Sequence, residues 1–304
     1  MIREPKAIGR LAAVTGVLLF NCALMLAGSF VDIPQDLTDP HVLLMDKISQ
    51  VLSVLLIFVL PSLLIGFLMT RSGIRFLGLG LTVKPVYYLL ALVLIFCALP
   101  LVNALAELNK HMVLPSSLKE VEDWMRSSED KAGKLTEAML KSAGMGDLIL
   151  NLFTVAFMAA VSEELFFRGL VQNVCREWFK NYHVAIWITA FIFSAFHMEF
   201  YGFLPRMLLG LGLGYLYVWS GSIYISMLAH FTNNAIGVIG VYLVEHKFVT
   251  EDPATPASSG SNLIVTGVSV VLSGALIYYA WRIRKREEAV VPAVADETEY
   301  PGVL

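Results

Sequence analysis

Long apolar stretches recur along the chain, separated by short polar links. A spanning helix needs about 20 mostly apolar residues. Eight stretches meet or approach that length: approximately Ile8 to Val31, Ile48 to Thr70, Val86 to Leu105, Leu148 to Gln172, Val184 to Phe200, Gly202 to Trp219, Ile223 to Val244 and Leu263 to Trp281. The fifth and sixth are short and closely joined. The pattern predicts an all-α, polytopic membrane helix bundle of about eight transmembrane helices. Arg3, Lys6 and Arg10 before the first stretch, and Ala27-Gly28-Ser29 near its end, have the layout of a signal peptide. Its apolar run exceeds the usual length of about 7–15 residues, so a retained helix is expected.

One long polar link, residues 107–147, carries charges of both signs. Ser117 and Glu120 form a capping-box pair, followed by Leu118, Val121, Trp124 and Met125 at helical spacing. The segment is expected to be an extracytoplasmic amphipathic helical loop on the membrane surface, or else a solvated helical linker. The expected organisation is three N-terminal spans (residues 1–106), this loop (107–147), a four-helix core (148–245), an eighth span (246–286) and a disordered cytoplasmic tail (287–304).

Composition agrees. Hydrophobic residues make up 57% and charged residues 15%, against roughly 25% charged in soluble domains, and mean hydropathy is +0.70. The net charge of −3 gives no basis for a nucleic-acid partner. Cys22, Cys97 and Cys175 are scattered in apolar runs and read as small core residues, not as a disulfide framework. Positive residues cluster before the first span, between the second and third (Arg71, Arg75, Lys84), after the fourth (Arg176, Lys180) and after the eighth (Arg282, Arg284, Lys285, Arg286). The opposite side, with Asp32, Asp36, Asp39 and Asp46 against Lys47, is acidic. Both termini are therefore expected in the cytoplasm.

Against this background the run Ala160-Val-Ser-Glu-Glu-Leu-Phe-Phe-Arg-Gly-Leu170 stands out. A charge at a helix centre costs roughly 2.5–3.5 kcal/mol on insertion scales and usually faces a cavity or another polar group. Glu164 and Arg168 are spaced i, i+4 with the acid first, the favourable order for an ion pair. Glu163 diverges from Glu164 by about 100° and has no local cation. Two further spans carry histidine: Phe193-x-x-x-His197 in the fifth, and His230-x-x-x-Asn234 in the seventh. Helical rise puts these groups at depths where they can meet in one pocket in the cytoplasmic half or near the midplane. Gly210 and Gly214 give the sixth span a small-residue face for close packing.

A carboxylate, an imidazole, and a second imidazole with an amide are the parts needed to activate water against a carbonyl. Glu163 would take the proton, His197 would orient the water, and His230 with Asn234 would stabilise the oxyanion. An alternative uses Glu163, Glu164, His197 and His230 around a Zn²⁺ ion, the only cofactor the sequence suggests. No HExxH signature is present, and an amide is a poor zinc ligand.

These three motifs, in order on successive spans, resemble those of the CAAX-processing and bacteriocin-processing (CPBP, or Abi) intramembrane proteases, over about residues 148 to 245. The resemblance implies endopeptidase activity within the bilayer, whether glutamate-dependent or metal-dependent. It also implies a membrane-associated protein or peptide as substrate, such as a prenylated CAAX tail or a maturing bacteriocin. The expected setting is a bacterial cytoplasmic membrane. Glu164, Arg168 and Phe193 are expected to support the site. Two other readings use the same residues: a non-catalytic scaffold or immunity protein, and an ion-coupled transporter.

Overall fold

The computed structural model describes residues 39–69, 73–79, 83–250 and 263–290, with a few isolated positions before residue 39. Most of the expected first span, Cys22 and the expected tail beyond residue 290 lie outside the described residues. Those described form helices and short turns, and no strand occurs among them. The all-α membrane bundle read from the pattern is the observed fold.

The helices that matter are α1 (Pro40–Leu68), α2 (Pro85–Lys110), α3 (Lys119–Leu140), α4 (Met145–Phe179), α5 (Tyr182–Phe196), α6 (Phe203–Ser220), α7 (Ile223–Glu245) and α8 (Leu263–Lys285). Five of them, α1, α2, α4, α7 and α8, are long and apolar enough to cross a membrane, and α5 is a shorter apolar helix. The chain is an integral membrane protein.

Local chemistry sets the boundaries. The Asp39 side chain accepts from the His41 amide (2.8 Å), and Pro40 occupies the first helical position of α1. Asn181 accepts from the amides of His183 (2.9 Å) and Val184 (3.3 Å) to open α5. Ser222 caps α7 through the Tyr224 amide (3.4 Å). Gly221, at φ +71°, ends α6 in the left-handed conformation that glycine adopts without strain. The turns joining α5, α6 and α7 are a few residues long, so these helices pack as antiparallel neighbours.

Several boundaries differ from the sequence reading. Helix α1 begins at Pro40 rather than near Ile48, which brings Asp46 and Lys47 into the helix, with Lys47 buried. The capping box at Ser117 does not form, because Ser116–Leu118 makes a 3₁₀ turn and α3 starts at Lys119 without a side-chain cap. Glu122 instead reaches back to the Leu114 amide (3.1 Å) and pairs with Arg126 (2.8 Å), which holds its carboxyl below the usual range. The helix containing α8 continues to Val290, into the segment expected to be a disordered tail.

Two large apolar cores and a smaller one, Leu148 and Ala156 of α4 against Ala235 and Val238 of α7, hold the bundle. Of the large ones, one joins α1, α4 and α5 through Phe58, Phe166, Phe167 and Phe193. The other joins α2, α6, α7 and α8 through Tyr87, Leu94, Leu213, Ile225 and Ala280. Leu89, Phe96, Phe191 and Val271 face outward, as lipid contact requires. Helix α6 reaches α5 through glycine. A Cβ on Gly210 would sit 3.2 Å from Ala190 and from the Phe193 ring, and one on Gly214 would sit 2.9 Å from both Ile186 and Gln172. The small-residue face is thus a close-packing surface.

Helix α4 is not uniform. It is π-helical over Leu152–Met158 and Leu165–Gln172, with the α-helical Ala159–Glu164 between. Glu163 and Glu164 close that α-helical stretch. Single π-turns tend to occur at functional sites. Helix α3 is tied to the end of the bundle. The Ser142 amide just beyond it donates to Glu245 of α7 (3.1 Å), and Asn151 Nδ2 of α4 donates to the Leu140 carbonyl (3.0 Å).

Candidate active site

The two adjacent glutamates have different surroundings. Glu164 and Arg168 are completely buried and paired, Nη1 to Oε1 at 2.8 Å. The second Arg168 terminal nitrogen donates to the Gly210 carbonyl (3.1 Å), and the guanidinium lies 4.6 Å from the centre of the Phe193 ring. Glu164 Oε1 also lies 2.9 Å from His230 Nδ1. Glu164 therefore joins α4 to α7, and Arg168 joins α4 to α5 and α6.

Glu163 has no cation in contact. Its Oε2 is buried and has no hydrogen-bond partner. It lies 3.9 Å from His197 Nε2 and 3.8 Å from His230 Nε2. Spans four, five and seven thus bring one carboxylate and two imidazoles together, while Glu164 stays with Arg168.

Hydrogen bonding fixes both imidazole orientations. His197 Nδ1 lies 2.8 Å from the Phe193 carbonyl, which can only accept, so Nδ1 carries the hydrogen. His230 Nδ1 meets an ion-paired carboxylate, so it too is the donor. Each ring then turns Nε2 toward Glu163. Phe193 packs between the rings, with centroids 5.0 Å from His197 and 5.8 Å from His230. Asn234 sits one helical turn beyond His230 on α7, half-buried, and accepts from Asn233 Nδ2 at 3.3 Å.

His197 differs from expectation in one respect. It is not inside the span but caps the C-terminus of α5. The chain turns there because Met198 takes φ +54° and its amide bonds back to the Ala195 carbonyl (3.1 Å). The following segment, residues 199–202, packs against α3. Glu199 forms an ion pair with Arg206 of α6, which also donates to the Glu199 carbonyl (3.3 Å). Sequence reading missed this pair, although two charges flanking an apolar hairpin were a visible signal. Across the turn, burial pushes the Glu129 carboxyl of α3 up, chiefly by removing it from water.

The fit to a metal ion is poor. Ligand atoms on a tetrahedral zinc with bonds of about 2.0–2.1 Å stand about 3.4 Å apart, closer than the two carboxylate–imidazole distances of 3.8 and 3.9 Å. Among the described residues, no group of three or more His, Cys, Asp or Glu side chains is arranged to hold one. An apolar crevice lined by Leu94, Tyr215, Trp219 and Ala280 lies away from these residues and contains no carboxylate or imidazole.

Comparison with known proteins bears on the same segment. The family model described as type II CAAX prenyl endopeptidase Rce1-like matches residues 145–236. The chain is also similar to the uncharacterized protein YpbD of Bacillus subtilis (strain 168), 27% identical over 92 residues, which is 29% of this chain and 44% of that protein. The match therefore spans less than half of the relative's length. No solved structure matches the chain.

Proposed function

From a segment that resembles the Rce1-like CAAX endopeptidases and carries a carboxylate facing two imidazoles, we infer that the protein is an intramembrane endopeptidase whose general base is Glu163. The observation that carries this reading is the buried, unpartnered Glu163 Oε2, 3.8–3.9 Å from two ring nitrogens that are not otherwise engaged. A polar separation of this size suits a bridging water. Water placed there gives one proton to Glu163, while His197 Nε2 accepts from the other and aims the oxygen at the substrate carbonyl. The new C–O bond converts the carbonyl into a tetrahedral oxyanion. Collapse breaks the C–N bond, and the proton held by Glu163 goes to the leaving amine.

The oxyanion needs donors. His230, held through Nδ1 by Glu164 and turning Nε2 into the site, would donate to the oxyanion when Nε2 carries a hydrogen. Asn234, one turn further along α7, would supply a second donor. Glu164, Arg168 and Phe193 orient these groups without touching substrate. The residues do not fit a zinc ion as arranged, so no step is assigned to one. The substrate class is a membrane-associated peptide or protein, with a prenylated C-terminal CAAX peptide as the first to test.

The test uses purified protein in liposomes with a farnesylated CAAX-ending peptide, the released fragment being identified by mass spectrometry. Cleavage by the parent and its loss in Glu163→Gln, by about a hundred- to ten-thousand-fold, supports the reading. Undiminished cleavage by Glu163→Gln overturns it. A scaffold role predicts instead that the biological function survives that change.

A further inference from the structure

The segment after His197 makes one short 3₁₀ turn of its own, Phe200–Gly202, closed by the Gly202 amide on the Glu199 carbonyl (3.3 Å), and is otherwise held from outside. Met198 is left-handed without being glycine, a conformation that L side chains rarely adopt unless their surroundings impose it. The backbone groups that follow are bonded largely to side chains from other elements. Asn109, at the end of α2, donates through Nδ2 to the Phe200 carbonyl (3.0 Å), and its Oδ1 accepts from the Leu204 amide (2.7 Å). Glu129 of α3 accepts from the Tyr201 amide (3.0 Å). The Arg126 guanidinium lies 4.2 Å from the centre of the Tyr201 ring, and the Trp124 and Phe200 ring centroids are 5.7 Å apart. Ser194 closes the near side by donating to the Phe203 carbonyl (2.7 Å).

Asn109 is buried; beside a local contact of Nδ2 to Met112 Sδ (3.6 Å), two of its side-chain hydrogen bonds reach residues some ninety positions away in sequence. Neither Asn109 nor any residue of α3 lies within the matched segment 145–236. The loop begins at the residue whose ring faces Glu163, so its backbone sets where that ring stands.

We propose that Asn109 and Glu129 are positioning residues for His197, forming with Trp124 and Arg126 a clamp that fixes the 198–204 backbone. The role rests on the endopeptidase reading only for its effect on turnover. The clamp itself is a claim about where His197 is held. Displacing a catalytic group by about 1 Å can cost about a hundredfold in rate. Loosening the clamp is therefore expected to lower kcat and leave substrate binding nearly intact.

The test compares Asn109→Leu, Glu129→Leu and Glu129→Gln with the parent in liposomes. The first readout is the rate at which diethyl pyrocarbonate modifies His197, followed by mass spectrometry, together with hydrogen exchange of peptides covering residues 198–204. The second is cleavage of the farnesylated peptide. Both leucine variants are expected to show several-fold faster His197 modification, faster exchange, and kcat lower by about tenfold or more with KM within about twofold. Glu129→Gln keeps an oxygen for the Tyr201 amide and is expected to match the parent. Parental His197 reactivity in a folded leucine variant overturns the clamp. Faster exchange with unchanged kcat overturns the positioning role and leaves the endopeptidase reading standing. If the parent cleaves no peptide, that reading fails, and His197 reactivity still decides the clamp. Should Asn109→Leu fail to fold, the half-buried Glu129 pair decides alone.

Discussion

Replacing Glu164 by glutamine removes one charge and little else. The side chain keeps its shape, and its remaining oxygen can still accept from Arg168 and from His230, which meet the same Glu164 oxygen at 2.8 and 2.9 Å. What is lost is the counter-charge of a guanidinium with no exposure. Two unit charges about 4 Å apart attract by about 4 kcal/mol at an effective dielectric constant of about 20. Removing one partner of a buried pair costs about 3–5 kcal/mol, so the two figures agree. The Gly210 carbonyl and the Phe193 ring remain against Arg168 but supply no full charge. At roughly 2–4 °C per kcal/mol, the thermal midpoint in detergent should fall by roughly 6–20 °C. It can be followed by intrinsic fluorescence. Glu163→Gln, which unpairs no cation, should stay within about 2 °C of the parent, and Glu164→Gln combined with Arg168→Met should recover part of the loss. Equal midpoints for the two single glutamine variants would refute the assignment of one glutamate to structure and the other to chemistry.

Other outcomes follow from the same geometry. Gly214→Ala places a methyl group 2.9 Å from Ile186 and Gln172 and should lower stability by about 1–3 kcal/mol. Gly212→Ala on the same helix meets nothing within 4 Å and should leave the midpoint unchanged. Phe193→Leu removes the ring shared by both imidazoles and Arg168, and should lower kcat more than it raises KM in peptide cleavage. Burial lifts the Glu129 carboxyl above its ordinary value, Glu199 and Asp130 add to that, and the Tyr201 amide and Arg206 oppose it. The folded state therefore binds its proton more tightly than the unfolded chain, and this contribution to stability fades as pH rises through the lifted value. Glu129→Gln should accordingly be at least as stable as the parent at pH 7, with the difference shrinking in acid, as read from thermal midpoints across pH.

The pairing of Glu164 with Arg168 was legible because an ion pair at i, i+4 is a local property of a helix. The convergence of His197 and His230 on Glu163 was legible because few partners besides one another suit polar groups in apolar spans. The helical ends were less so. Nothing in Phe193-Ser-Ala-Phe-His-Met announces that Met198 will turn left-handed, since methionine has no preference for that conformation. The widened turns of α4 on either side of the glutamates carry no distinctive composition. The capping box at Ser117 was a local signal that lost to Glu122, which reached both the Leu114 amide and Arg126 at once. The grip of Asn109 on residues far along the chain has no periodic or motif signature, so only the folded arrangement reveals it.

That grip bears on how far the matched segment can act alone. A protein transplanting residues 145–236 into a foreign set of helices would carry every reactive group yet leave the turn after His197 untethered. Grafting experiments should include the end of α2 and all of α3, or expect an intact fold with an idle centre.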